Sequence, residues 1–239
     1  MTDGDTLSVI VPALDEAPNL RATVDEIVRA VEGDLQDYEI LIVDDCSTDG
    51  TGAIADALAA ENPHVRVVHN PEHAGLGRNF RRGLELARMT YVTLVNGKHD
   101  LAAEELRKIL ALRGRADVIV PYAVNSHERS FFRRTVSRTF TGLLNLLFGY
   151  RLHYYNDSVL HRRAELLTLV LRTDSYAYTA EALIKALRCG RTYLEVPIAC
   201  LFPPGIKTNA FRWRNVSGVA RFLVSIVYDI YIGRNYRRA

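Results

Sequence analysis

Two aspartates in tandem follow the apolar run Ile40-Leu41-Ile42-Val43 and open a polar turn, Asp44-Asp45-Cys46-Ser47-Thr48-Asp49-Gly50-Thr51. A strand apolar at every position is buried on both faces and belongs in a parallel sheet, whose ligands sit beyond the carboxyl ends of the strands. Paired carboxylates at that edge serve a ligand rich in donors, such as a base and ribose, or a bound cation. The competing role, open to Asp45 and Asp49 above all, is to cap the next helix. A second cluster has the same placement: Tyr91-Val92-Thr93-Leu94-Val95 empties into Asn96-Gly97-Lys98-His99-Asp100, an amide, an ammonium and a carboxylate in five residues. In a third, Gly75 and Gly77 permit close backbone approach, and Arg78 or Arg82 can reach an anionic group unless it merely solvates a helix face.

Strands alternating with amphipathic helices must position these clusters. Strands are expected at residues 7–11, 38–43, 65–69, 91–95 and 118–120. Between them, apolar residues recur at helical spacing: Leu20, Val24, Ile27, Val28 and Val31, then Ile54, Ala55, Leu58 and Ala59, then Phe80, Leu84 and Ala87, then Leu106, Ile109 and Leu110. This rhythm predicts an open, mostly parallel α/β sheet flanked by helices. It changes after Pro121. Val136, Phe140, Leu143, Leu144 and Leu147 form a helical apolar stripe, with Arg134, Arg138, Thr141 and Asn145 on another face. A further helix carries Glu181, Ala182, Ile184 and Leu187, residues 193–198 form a returning strand, and residues 216–230 form an amphipathic helix. No repeat or low-complexity linker appears, so residues 1–239 are expected to be one domain, with a first half to about residue 121 and a second from about 122.

The 239 residues are 48% hydrophobic and 24% charged, enough for a substantial core. The net charge of +2 is uneven, because residues 204–239 hold seven basic side chains against Asp229 alone. A basic end seeks an anionic partner. Arg212-Trp213-Arg214 and the later Arg234, Tyr236, Arg237 and Arg238 mix aromatics with cations as an interfacial anchor does, and no nucleic-acid motif accompanies them. The apolar stretch 222–228 is far shorter than the roughly 20 residues needed to cross a bilayer, so the chain is expected to lie on a membrane without spanning it. Cys46, Cys189 and Cys200 lack metal-ligand spacing, and the acidic first residues form no export signal, so a cytoplasmic setting is expected. A dinucleotide-dependent oxidoreductase is disfavoured because no Gly-x-Gly-x-x-Gly follows the first strand.

Four blocks carry a family resemblance: Val9-Ile10-Val11-Pro12-Ala13-Leu14-Asp15-Glu16, Val43 to Thr51, Gly75-Leu76-Gly77-Arg78-Asn79, and Glu195-Val196-Pro197. With them the chain resembles glycosyltransferase family 2, and within it the dolichyl- and polyprenyl-phosphate sugar synthases. The resemblance implies a GT-A fold, a Rossmann-like sheet with C-terminal amphipathic helices, and a UDP- or GDP-sugar bound across the first four strands. It implies inverting transfer to a polyprenyl-phosphate-type lipid by a peripheral enzyme at the cytoplasmic membrane face. Pro12 then fixes the strand's exit so that Leu14 walls the base and Glu16 accepts donor groups. Asp44 matches the position that reads base or ribose, and Asp45 the one near metal or phosphate.

One departure stands out. The family places Asp-x-Asp after the fourth strand to hold magnesium or manganese, whereas this chain has Asn96-Gly97-Lys98. An ammonium about 4 Å from a divalent ion costs roughly twice the ~4 kcal/mol of a unit pair at an effective dielectric of about 20. Three readings follow: Lys98 replaces the metal, Asp45 or Asp100 holds a shifted metal, or the protein binds without transferring. On the acceptor side, Arg133, Arg134, Ser137 and Arg138 resemble the family's basic helix for a lipid phosphate. Lys207, in Gly205-Ile206-Lys207-Thr208, resembles a loop that closes over donor phosphates, although Ile206 replaces the usual small residue. Asp157 and Asp100 are the candidate bases. His153 and His161 are expected to cap or face solvent, and Glu195 to serve structure. The rival activities are a soluble transferase acting on a hydroxyl and a non-catalytic nucleotide-sugar-binding partner.

Overall fold

The computed structural model describes residues 4–201 and 213–237. Among these residues seven strands form one sheet: β1 (Thr6–Ala13), β2 (Asp37–Asp44), β3 (Val65–His69), β4 (Tyr91–Leu94), β5 (Val118–Ala123), β6 (Leu160–Arg162) and β7 (Tyr193–Ile198). Their order is β3-β2-β1-β4-β6-β5-β7. β1 pairs in parallel with both β2 and β4, so the order reverses beside it, and this is where an open α/β sheet forms its ligand crevice. The helices are α1 (Leu20–Val31), α2 (Thr51–Glu61), α3 (Leu76–Leu86), α4 (Ala103–Leu110), α5 (Phe131–Phe148), α6 (Arg163–Leu167), α7 (Tyr178–Arg188) and α8 (Trp213–Val227).

The expected strands are all present; β1 and β5 are each three residues longer than expected, β2 two longer and β4 one shorter. Pro12 therefore lies inside β1 rather than at its end, where its carbonyl accepts the Gly97 amide at 3.2 Å. Two apolar clusters pack on the sheet. One joins Leu20, Val24 and Ile27 of α1 to Leu106 and Ile109 of α4; the other joins Phe80 and Leu84 of α3 to α7 and to Phe222, Ile226 and Ile230. The C-terminal helix departs from its expected bounds: α8 ends at Val227 and continues as one wider turn, Tyr228–Ile232.

The periodicity of α5 resolves only in part. Ser130 caps its first turn and Gly149, at φ 73°, ends it. Leu144 and Phe148 are buried, while Val136 and Leu143 of the expected stripe are exposed, together with Phe131, Phe132 and Leu146. The helix thus has apolar surface on its inner and outer sides.

β6 was absent from the expected strands because three residues carry no period. It runs antiparallel between β4 and β5. Its middle residue, His161, is buried rather than solvated. Its Nε2 has no hydrogen-bond partner among the described residues, and burial pushes its pKa down to about 4 from 6.5. A histidine that stays neutral when folded but titrates normally when unfolded gives full stability above the unfolded value. That stability is lost as pH falls from 6.5 towards about 4, by about 3 kcal/mol in all. Urea unfolding at neutral pH and at about pH 4.5 is expected to reveal this loss, and His161→Phe to flatten it.

Candidate active site

β2 delivers Asp44 and Asp45 to the carboxyl edge of the sheet, both buried. Asp44 accepts the Ser47 amide at 3.1 Å on one oxygen, and His69 Nδ1 lies 2.9 Å from the other. His69 Nε2 lies 3.0 Å from Asp56, and the hydrogen bonds to Asp44 and Asp56 raise the imidazole's pKa. Asp45 accepts the Ala74 amide at 2.8 Å, Asn70 Nδ2 at 2.9 Å and the Gly75 amide at 3.1 Å, with His73 Nδ1 at 2.8 Å. Burial works against its charge, but the bonds from Ala74, Asn70 and Gly75 outweigh it and hold its pKa below the usual carboxylate range. Asp45 therefore shapes the Ala74-Gly75 turn from beneath. Asp49 accepts the amides of Thr51, at the start of α2, and of Ala17, in the loop after β1.

The loops after β1, β2 and β4 converge on the crevice, and each holds one non-glycine residue in the left-handed region: Asp15 (φ 53°), Cys46 (φ 65°) and His99 (φ 55°). The first two loops are stitched together. Asp15 N donates to Ser47 Oγ, Thr48 N donates to the Asp15 carboxylate, and Glu16 N donates to Thr51 Oγ1. Leu14 stands exposed on the rim they form.

Lys98 reaches into this crevice with its Nζ 3.8 Å from Glu16 Oε1. Burial raises the pKa of Glu16, opposed by the Asn19 amide 3.0 Å away and by Lys98. Burial likewise raises Asp100, opposed by Lys98 and Arg129; Asn96 Nδ2 lies 3.4 Å from its carboxylate. The ammonium thus pairs with Glu16, and its charge also reaches Asp100.

Because β6 is antiparallel, its entry lies at the same edge and brings Asp157 beside this group. Burial, with the nearby charge of Asp100, pushes Asp157 up to about 7. Arg129 interacts with Tyr154, Cys200 and Asp157. Arg133, lowered first by burial and then by Arg129, also feels Tyr154 and Asp100. Asp100, Asp157, Arg129 and Arg133 form one cluster.

The other expected site residues are more dispersed. Arg134 turns back to donate to the His127 carbonyl at 2.6 Å, Arg138 is exposed and Ser137 is half-buried. Arg78 is exposed, 3.9 Å from Glu72, whereas Arg82 bonds to Asn70. His153 pairs with Glu195 at 3.0 Å and stacks on Tyr122, which gives Glu195 its structural role. Lys207 lies outside the described residues. Arg129 was missed in the sequence. Its signal, a cation just ahead of the Ser130 cap, is legible only once the first turn of α5 is known to face Asp100.

At the end of β4 the side-chain oxygens that could serve a divalent cation are those of Asn96 and Asp100, with the charge of the Lys98 ammonium felt by Asp100. No group of three or more His, Cys, Asp or Glu converges among the described residues. Asp45 is engaged by the protein's own donors, and Asp100 shares its surroundings with Lys98 and Arg129. Nor, among the described residues, is any helix long and apolar enough to cross a membrane.

The chain is 32% identical over 205 residues to the polyprenol monophosphomannose synthase of Mycolicibacterium smegmatis, covering 80% of this chain and 75% of the relative. It is 28% identical over 211 residues to the undecaprenyl-phosphate mannosyltransferase of Micrococcus luteus, covering 79% and 81%. The fold is the GT-A fold. A solved glucosyl-3-phosphoglycerate synthase from Mycobacterium tuberculosis, in complex with Mn2+, UDP and glucosyl-3-phosphoglycerate, superposes with a TM-score of 0.70 at 18% identity, over 95% of this chain and 80% of that one. Residues 8–170 match the family described as Glycosyl transferase family 2, and this chain is a glycosyltransferase of that family.

Proposed function

We propose that the protein moves a sugar, with inversion, from a UDP- or GDP-sugar to a polyprenyl-phosphate-type lipid at the cytoplasmic face of a membrane. It does so as a single domain, with residues up to about 121 holding the donor and the remainder the acceptor. The observation that carries this reading is the juxtaposition of Lys98, at the donor crevice, with Arg129 and Arg133, at the head of a helix whose outer side is apolar. The names of two relatives, a polyprenol monophosphomannose synthase and an undecaprenyl-phosphate mannosyltransferase, support the acceptor class.

In this reading Leu14, Glu16 and Asp44 receive the nucleoside, Gly75, Arg78 and Gly97 the diphosphate, and Lys98 offsets the charge that develops as the diphosphate leaves. A lipid-phosphate oxygen forms the new bond to the anomeric carbon while the bond to the diphosphate breaks, and the electron pair departs with the diphosphate. The acceptor is already an anion, so positioning matters more than deprotonation. Arg129 and Arg133 hold its phosphate, with Arg134, Ser137 and Arg138 along the approach. Phe131 (76% exposed), Leu146 (82% exposed), Val224 and Ile232 rest on the bilayer, with Arg138 and Arg234 toward its anionic headgroups. Transfer from radiolabelled UDP- and GDP-sugars to polyprenyl phosphate in anionic vesicles is expected to persist in excess chelator. Loss of activity on chelation, restored by manganese, would overturn the role given to Lys98.

A second reading, transfer to a hydroxyl, is favoured by one observation, the displacement of Asp157 to about 7, which suits a general base. The two differ in their pH profiles. With a lipid-phosphate acceptor, Asp157→Asn is expected to keep most of the transfer. With a hydroxyl acceptor, activity would rise as Asp157 loses its proton near pH 7, and the asparagine variant would be inactive.

A further inference from the structure

Asp45 supports the Gly75-Leu76-Gly77 turn from one side; a short loop, residues 170–175, holds it from the other. Gly77 N donates to the Asp174 carbonyl at 3.2 Å, and a Cβ on Gly77 would lie 2.1 Å from the Thr173 carbonyl oxygen, so only glycine permits this approach. Arg81 donates to the Thr173 carbonyl at 2.7 Å and pairs with Asp174. The loop therefore sets where the turn's backbone lies.

Buried charges fix that loop. Glu181, on α7, accepts the Arg172 amide at 3.0 Å on each oxygen and the Thr173 amide at 2.9 Å. Lys185, one helical turn later and wholly buried, donates to Glu181 at 2.7 Å, to Asp229 at 2.8 Å and to the Val170 carbonyl at 2.6 Å. Arg172 Nη1 lies 3.5 Å from the other oxygen of Asp229. Two cations thus meet two carboxylates. Such a cluster is poor value as a source of stability, since well-packed apolar residues do as well in its place. What apolar residues could not supply is an acceptor that orients the amides of Arg172 and Thr173.

We propose that Glu181, Lys185 and Asp229 are positioning residues for the donor site. Through the 172–174 loop they set the Gly75–Gly77 backbone in register with the C-terminal segment that carries Asp229. The consequence for nucleotide affinity rests on the reading of this turn as a diphosphate cradle; the consequence for the turn itself does not.

Two near-isosteric variants, Glu181→Gln and Asp229→Asn, test this, with Val31→Ala as a control that hollows the core at the far end of α1. Hydrogen exchange followed over residues 72–82 is expected to speed up roughly tenfold in both variants, the scale of one charge-assisted hydrogen bond. Calorimetric Kd values for UDP and GDP are expected to weaken by a similar factor. The control should lower Tm while leaving both readouts unchanged. Lower Tm in Glu181→Gln and Asp229→Asn with unaltered exchange in the turn would overturn the proposal. Faster exchange in a protein whose wild type binds neither UDP nor GDP would uphold the positioning role and remove the cradle reading instead. Should Glu181→Gln fail to fold, Asp229→Asn, which removes the charge opposite Lys185 and Arg172 and so acts on the loop through those two cations, decides the same question.

Discussion

Replacing Lys98 by alanine is expected to lower the rate of sugar transfer by about 10²–10³-fold, the usual cost of removing one group that stabilises developing charge. Nucleotide affinity should fall less, because the ammonium matters most when the diphosphate departs. The alanine variant leaves the carboxylates of Glu16 and Asp100 without the cation whose charge both now feel. Lys98→Asp adds a third carboxylate and, with Asn96 and Asp100, recreates a donor set suited to a hard cation. Its activity is therefore expected to appear only with manganese, and a metal titration of steady-state rates checks this. Wild-type turnover in the alanine variant would show Lys98 to be a bystander.

Asp45→Ala is expected to damage both fold and site. Removing its carboxylate strands the amides of Ala74 and Gly75 and the side chains of Asn70 and His73, at a cost of about 3 kcal/mol in unfolding free energy. Affinity for UDP or GDP should drop at least roughly 100-fold as the turn above it loses its shape. Asp44→Ala should also remove donor binding but at a smaller cost in stability, since His69 keeps Asp56 as a partner. Urea unfolding and calorimetry on the two variants separate these outcomes. Equal stability losses would sink the division of labour between the two aspartates.

Much of this was legible in the sequence because strong periodicity and position coincide in the first half. The apolar runs ending at Val43 and Val95 located both polar clusters, and the departure at Lys98 was visible directly. Three kinds of information were not. The three-residue β6 is too short to carry a pattern, so the route by which Asp157 arrives beside Asp100 could not be read. The partners of Asp44 and Asp45, His69 and Asn70, come from the end of β3 and the residue after it and depend on tertiary approach. The helical stripe on α5 described which residues are apolar but not which neighbours cover them, and Val136 and Leu143 proved exposed.

Asp15, Cys46 and His99 set the crevice rim with backbone angles that glycine would adopt at less cost, a burden on the order of 1 kcal/mol at each. Glycine there would ease the folded state and loosen the rim together. Selection of this protein for heat resistance and selection for turnover would therefore pull in opposite directions at the same three residues.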